Sequence, residues 1–285
     1  MQTLVSIIIP TFNEEKTIAN CLKYIKNQTY KPVEVIVVDD GSTDNTEKII
    51  KDLLGQDGAK NLKLIHQNHK GPGPARNLGA KQAEGGILIF ADADMTFDKK
   101  FVKDLIQPII SGRAIGTFSK NEMNANLQNI WSACWNINRN WPIDRLIPPD
   151  YPETAPVFRA ILKREFEKVS GFDATGEYTD DWSLSRKLGV KSTLAKGAIY
   201  YHSNPDNLEE VFKQARWIGK NEFIAGNLIR KIRSLFFYSL PTSLVIGIYK
   251  SIVNFKVKFI IFKLVYDSAI FISVCKSFFK ESKVK

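Results

Sequence analysis

Two carboxylates one residue apart, Asp92-Ala93-Asp94, follow the apolar run Ile87–Ala91. At the end of a buried strand such a pair can hold a hard divalent cation, which in turn neutralises phosphate oxygens. A plain turn with Asp as a helix cap is the competing reading of the triplet. Asp39-Asp40-Gly41-Ser42-Thr43-Asp44 ends another apolar stretch. A carboxylate there can accept from a nucleobase N–H or a ribose hydroxyl, and the helix start behind it favours an anion. An ordinary strand-to-helix turn explains the same residues. Glu177-Tyr178-Thr179-Asp180-Asp181 crowds three acids into five residues. Crowding of that kind can raise one carboxyl pKa and yield a general base, although a solvated acidic helix start has the same composition. His202 follows the strand-like Ala198–Tyr201, where an imidazole can ligate a metal or serve only in packing. His66 and His69 receive no role.

Gly71-Pro72-Gly73-Pro74-Ala75-Arg76-Asn77-Leu78-Gly79 links a strand to a helix but fails the dinucleotide-binding pattern. Arg76 stands where the third glycine belongs, and both prolines remove backbone donors. Arg76 near a helix start reads better as a phosphate-binding side chain, and a dinucleotide-dependent oxidoreductase is disfavoured.

The elements that must position these groups alternate. Val5–Ile9, Val33–Asp40, Leu62–Gln67 and Ile87–Ala91 read as strands, with helices over about Thr43–Leu54, capped by Ser42 or Thr43, and Ala75–Ala83. The order is that of an α/β fold with a mostly parallel central sheet flanked by helices, which takes ligands outside the carboxyl ends of its strands. Residues 10–15, 39–44 and 92–94 all fall on that edge. Farther along, helices are expected over Ala125–Trp141, Glu165–Ser170, the stretch from about 181 to Leu188, and Leu208–Ile229. Lys191–Tyr201 reads as strand, and the prolines 148, 149, 152 and 156 mark an extended loop.

At 44% hydrophobic and 25% charged residues, the chain of 285 has the composition of an ordered globular protein. The N-terminal apolar run is short and lacks a basic leader, so it reads as a first strand and not as a signal peptide. Three scattered cysteines suit a reducing compartment and match no zinc-site spacing. The net charge of +10 is concentrated at one end: residues 231–285 hold ten basic and two acidic side chains, whereas 1–230 hold thirty against twenty-eight. The expected division is a catalytic domain over 1–230, with halves of about 1–112 and 113–230, and a basic, amphipathic helical tail over 231–285. The uncharged stretch Ser234–Tyr249 is too short for an α-helix to cross a bilayer, which takes about 20 residues. Lys256, Lys263 and Asp267 are spaced to share one helical face. Helices over 232–280 are expected in a membrane interface with lysines toward anionic headgroups, a peripheral or monotopic attachment at the cytoplasmic face. A buried helical cap and a transmembrane hairpin are the alternatives. Nucleic acid fits less well, because the lysines are interleaved with long aliphatic runs.

Pro10-Thr11-Phe12-Asn13-Glu14, Val37-Val38-Asp39-Asp40-Gly41-Ser42-Thr43-Asp44, Ala75-Arg76-Asn77-Leu78-Gly79, Asp92-Ala93-Asp94, and Gly171-Phe172-Asp173 followed by Thr179-Asp180-Asp181 occur in a set order. In order and spacing the chain resembles the family 2 glycosyltransferases over about residues 3–220. The resemblance implies a GT-A fold, a UDP- or GDP-linked sugar donor, inversion at the anomeric carbon, and Mg²⁺ or Mn²⁺. It implies nucleotide-sugar contacts at Pro10, Thr11, Phe12, Glu14, Asp39, Arg76, Asp92 and Ala93. Thr11, Phe12 and Asp39 would hold the base, and Arg76 and Asp92 the diphosphate–ribose portion. Asp94, Asp92 and His202 would supply metal ligands, and Asp181 the catalytic base, with Asp180 in place of the more usual glutamate before it. Arg216 and Trp217, for acceptor or diphosphate, match the motif of processive members only in part, since Gln214 is one residue too close. Transfer of a single sugar to a membrane-associated, lipid-linked or glycan acceptor is therefore expected. A polyprenyl-phosphate glycosyl synthase of the dolichyl-phosphate mannose type is the alternative, disfavoured by Thr96 where those relatives carry glutamine. An inactive sugar-nucleotide-binding scaffold is a further alternative, opposed by the intact acids at 92, 94 and 181.

Overall fold

β1 (Val5–Thr11) is buried on both faces, as its unbroken apolar run requires. It pairs in parallel with β2 (Val33–Asp39) from Val5 opposite Val33 to Thr11 opposite Asp39. On its other side it pairs in parallel with β4 (Ile87–Phe90), Ile8 facing Phe90. Register and direction together bring Thr11, Asp39 and the residues after Phe90 out at one edge. The structure, a computed structural model, describes residues 2–55, 61–173, 180–223 and 228–279.

Two compact units make up the chain. One comprises Met1–Met123 and Pro149–His202, the other Asn124–Pro148 and Ser203–Lys285. The first unit holds an eight-stranded sheet. With β3 (Leu62–His66), β6 (Gly116–Phe118), β8 (Thr154–Ala155), β9 (Ala160–Leu162) and β10 (Ser192–Leu194), its order is β3-β2-β1-β4-β9-β6-β10-β8. The half from β3 to β4 is parallel, whereas β9 runs antiparallel to both β4 and β6. Alternation along β1 sends Ile7 and Ile9 to one face, packed with α1 (Ile18–Lys26), α2 (Thr46–Leu54) and α4 (Phe101–Ile110). Ile8 points to the other, packed with α3 (Pro72–Gln82), α6 (Lys163–Lys168) and α7 (Ser183–Leu188). The approach of α3 to β1 is close enough that a Cβ on Gly79 would stand 2.6 Å from Ile8 Cγ2. A small sheet of order β5-β11-β7, from β5 (Thr96–Phe97), β7 (Asn121–Asn124) and β11 (Ile199–His202), sets Tyr201 opposite Thr96.

Several boundaries differ from those read in the sequence. α2 begins at Thr46, not Thr43, because Asp44 turns back to accept from the Thr46 N–H at 3.0 Å. The predicted helix over Ala125–Trp141 contracts to α5 (Ile130–Arg139), whose first turn is capped by the Asn129 side chain accepting from Trp131 and Ser132. Lys191–Tyr201 divides into β10 and β11 at Gly197, which has φ of +90°.

The second unit is helical: α5, α8 (Leu208–Phe223), α9 (Leu228–Phe237), α10 (Leu240–Val253) and α11 (Phe259–Phe279). α11 packs on α8 through Ala215, Ile218, Ala269, Ile270 and Val274, and on α5 through Trp135 and Phe262. Lys263 is not turned outward as the seven-residue spacing implied. It is buried beside the fully buried Asp267, with Nζ 2.9 Å from Oδ1, and Ser243 Oγ donates to Oδ2 at 2.7 Å. A buried carboxylate recruits its nearest cation one helical turn away, so the pair turns inward together. Among the described residues no single helix is long and apolar enough to cross a membrane. α9 and α10 would reach that length and apolarity together but are bent by 56°.

Buried Glu34 closes the lower end of the sheet. Its Oε1 accepts from Ser6 Oγ at 2.5 Å, Glu84 N–H at 2.6 Å and Gly85 N–H at 3.1 Å, and Oε2 accepts from Lys63 at 3.1 Å. Burial alone would raise this carboxyl, but these donors outweigh it and hold the group below the usual carboxylate range. A depressed native pKa adds stability above the unfolded value of about 4.3 and loses it as pH falls. Glu34→Gln should therefore lower unfolding stability by about 1–3 kcal/mol at neutral pH, measured by urea denaturation. The deficit should shrink as the pH is taken below that range.

Candidate active site

At the carboxyl edge, the loops after β1 and β2 are stitched by reciprocal side-chain bonds. Asn13, with φ of +57°, accepts from the Thr43 N–H at 2.8 Å, and its own N–H donates to Ser42 Oγ at 2.9 Å. The Glu14 N–H donates to Thr46 Oγ1 at 2.8 Å, and Glu15 accepts from the Asn45 N–H at 3.1 Å. Asp40 then fastens the loop after β3, accepting from the Lys70 and Gly71 N–H groups at 2.8 Å each. The small polar residues of both motifs are thus explained by the backbone groups they satisfy.

These loops border a cleft of about 270 Å³ lined by Pro10, Thr11, Phe12, Glu14, Asp40, His69, Pro72, Asp92, Ala93 and Asp94. Phe12 is 40% exposed and its ring lies 4.2 Å from that of His69. The buried Thr11 hydroxyl has no hydrogen-bond partner among the described residues. Asp39 does not line the cleft. It accepts from the Ser42 N–H at 3.3 Å and stands 3.5 Å from His66.

Deeper in, the buried Arg76 of α3 donates from Nη2 to Asp92 Oδ1 at 2.8 Å and from Nη1 to Asp181 Oδ1. Arg159, just before β9, donates to Asp92 Oδ2 at 3.0 Å and lies 5.3 Å over the Tyr200 ring. Burial would raise the Asp92 carboxyl, but Arg159 and Arg76 hold it well below the usual range. Both of its oxygens are spoken for. Asp181 is 48% exposed beyond Arg76. Asn77, the next residue along α3, clamps the backbone of Phe172 in both directions at 2.9 Å. Gly171 supplies the turn, with φ of +70° and space so tight that a Cβ would stand 2.4 Å from Asn77 Oδ1. The Arg76-Asn77 and Gly171-Phe172 motifs are therefore two halves of one contact.

On the small sheet, His202 Nε2 lies 2.9 Å from Asp94 Oδ2 and Nδ1 lies 3.1 Å from Glu122 Oε1. Burial disfavours an imidazolium here, but the two carboxylates outweigh it and push His202 up to about 10. Two donor atoms bound to one ion at about 2.1 Å, at a right angle, stand about 3 Å apart. Asp94 and His202 fit such a pair, with Glu122 orienting the ring as carboxylates do for metal-binding histidines. Asp92 is the poorer ligand because its oxygens face guanidinium groups.

The structure thus gathers Asp92, Asp94, Arg76, Asp181 and His202 at one edge with Pro10, Thr11, Phe12, Glu14 and Ala93. Glu177, Tyr178 and Thr179 lie outside the described residues, and Asp180 opens a short 3₁₀ turn, Asp180–Trp182. Arg216 and Trp217 belong to α8 in the helical unit. Arg159, Glu122 and His69 are the site residues that motif reading passed over. Only the need of a partly buried Asp92 and of an expected metal-binding histidine for partners hinted at the first two.

A family model described as glycosyl transferase family 2 matches residues 6–169. The glycosyltransferase GlyG of Streptococcus pneumoniae serotype 4 is 34% identical over 110 residues, 38% of this chain and 36% of that one. The poly(ribitol-phosphate) β-N-acetylglucosaminyltransferase TarS of Staphylococcus aureus is 40% identical over 103 residues, 35% of this chain and 18% of that one. The chain therefore matches little more than a third of these relatives at most. Among solved structures, residues 1–349 of S. aureus TarS with UDP-GlcNAc align with a TM-score of 0.57 at 19% identity, covering 99% of this chain and 93% of that one. The mannosyltransferase PcManGT of Pyrobaculum calidifontis, with GDP-Man and Mn²⁺, gives 0.56 at 18% identity, covering 95% and 75%. At those identities the likeness is one of fold, and that fold is the GT-A architecture.

Because Arg159 is partly buried against Asp92, Arg159→Ala should cost about 1–3 kcal/mol of unfolding stability, the usual loss when a hydrogen bond to a charged group is removed. A loss below about 1 kcal/mol, typical of an exposed pair, would contradict the bridge. Chemical denaturation measures the difference.

Proposed function

The chain belongs to glycosyl transferase family 2, and from that premise we propose that it transfers one sugar from a nucleotide-sugar, with inversion and with a divalent metal, to a membrane-associated acceptor. The observation that carries the reading is the gathering of three carboxylates by cationic side chains at one sheet edge: Asp181 and Asp92 on Arg76, and Asp94 on His202. Phe12 and His69 offer a nucleobase a stacking surface, and the unpartnered Thr11 hydroxyl offers it a hydrogen bond. Asp94 and His202 would hold Mg²⁺ or Mn²⁺, whose charge balances the diphosphate as it leaves. TarS and PcManGT, of the same fold, are described with UDP-GlcNAc and with GDP-Man and Mn²⁺.

Asp181 is the base in this reading. Its carboxylate takes the proton of the acceptor hydroxyl while the oxygen attacks the anomeric carbon on the face opposite the nucleotide. Arg76 acts through it, fixing one oxygen and leaving a half-exposed carboxylate to meet the acceptor. Asp92, held ionised by two guanidinium groups, keeps the ribose and diphosphate side in register. The acceptor class, lipid-linked or glycan, and the cytoplasmic face as the place of reaction rest on the basic, apolar composition of 231–285.

The test is incubation with Mn²⁺ and a panel of UDP- and GDP-sugars, with and without lipid extract, following sugar transferred. Asp181→Asn should lower kcat by about 10²–10⁴-fold, and Asp94→Ala should abolish the response to Mn²⁺. NMR of the product should show the anomeric configuration opposite to the donor's. Retention of configuration, or full activity in Asp181→Asn, would overturn the mechanism.

A further inference from the structure

α10 is polarised the wrong way round for water. Its buried residues are Ser243, Gly247 and Ser251, one per turn, facing α11. Gly247 lets the helices close to the point where a Cβ would lie 3.4 Å from the Ile260 Cα. Its outward residues are aliphatic and aromatic: Val245 is 69% exposed, Tyr249 66% and Ile252 68%, with Leu244, Ile248 and Val253 beside them. Toward α10, α11 presents polar groups in turn, burying Lys263 and Asp267, with Ser243 donating to Asp267. An aqueous helix buries its large apolar side chains and exposes its small polar ones. Small residues at the helix contact with large apolar residues outside is the arrangement of helices solvated by hydrocarbon.

Charge identifies the medium. Arg230, Lys231 and Arg233 precede α10, Lys256 and Lys258 follow it, and no acidic residue occurs from 228 to 266. A second copy of the chain on this face would set one basic rim against another, whereas an anionic bilayer would complement it. We infer that the outer face of α10 lies in the headgroup–acyl boundary of an anionic membrane, with the flanking arginines and lysines among the headgroups. The fourteen residues of α10 measure about 21 Å, short of the roughly 30 Å hydrocarbon core, and the 56° bend from α9 suits a helix lying along the surface, so the inferred attachment is monotopic. The inference stands on the helical unit and does not rest on the transfer reaction.

Flotation of the full chain with phosphatidylcholine vesicles, with and without phosphatidylserine, tests it. Binding should require phosphatidylserine and weaken with salt. Arg233→Gln with Lys258→Gln should reduce it about thirtyfold, each cation near an anionic surface being worth about fivefold. Val245→Glu with Ile252→Glu should abolish binding while leaving the thermal midpoint and soluble-acceptor turnover unchanged. In a separate variant, Ile252→Trp fluorescence should be quenched by brominated acyl chains. Absence of flotation, quenching only by aqueous iodide, or a lipid-free dimer dispersed by Val245→Glu with Ile252→Glu would overturn the inference.

Discussion

A carboxylate caught between two guanidinium groups, one buried and one partly buried, organises the catalytic unit. Asp92 leaves the end of β4 and gives one oxygen to Arg76 and the other to Arg159. The buried Arg76 would be poorly tolerated without such a partner, and the two guanidinium groups hold Asp92 ionised. The bridge ties α3 to the segment entering β9, which is the strand that reverses the sheet's direction. Arg76 then extends the bridge to Asp181, so the arrangement of the proposed base depends on the same ion cluster. Asp94, two residues on from Asp92, escapes the arginines and faces His202 from the small sheet. One dipeptide spacing therefore separates an acid that holds the site together from one that faces the cleft.

Much of this was legible in residue order because parallel strands with apolar cores deliver their last residues to one edge. Thr11, Asp39 and Asp92 could be assigned to a common edge from runs of Val and Ile alone, since register follows from burial on both faces. Asn77 and Phe172 were legible as motif residues but not as partners; their bonds span 95 residues of chain and only the folded packing reveals them. Arg159 and Glu122 belong to no motif. Each lies in a short strand or beside one, in a stretch without periodicity, and each matters only through a residue far away in sequence. Helix starts were misplaced where a side chain competes for the backbone, as Asp44 does before α2. The burial of Lys263 was invisible for a related reason: periodicity names a face but not which way it turns.

The outer face of α10 obeys a different rule of solvation from the catalytic unit. In that unit, apolar residues fill both sides of the sheet and the charged groups collect at the strand ends. In the helical unit, α5, α8 and α11 bury Trp135, Phe262 and Val274 in the ordinary way, but α10 keeps Ser243 against Asp267 inside and Val245, Tyr249 and Ile252 outside. A mean hydropathy value averages over this reversal and hides it. The buried Lys263–Asp267 pair fixes the rotation of α11 against α10, because any other rotation would strand a charge.

The central claim is that Arg76 serves transfer by holding Asp181, so that the two act as one unit. A double-mutant cycle on kcat/KM with Arg76→Met, Asp181→Asn and the pair measures that directly. The account predicts that the double variant is little worse than Asp181→Asn alone, since Arg76 has nothing left to position on that side. Losses that simply multiply would contradict it and would make Arg76 an independent contributor to the reaction.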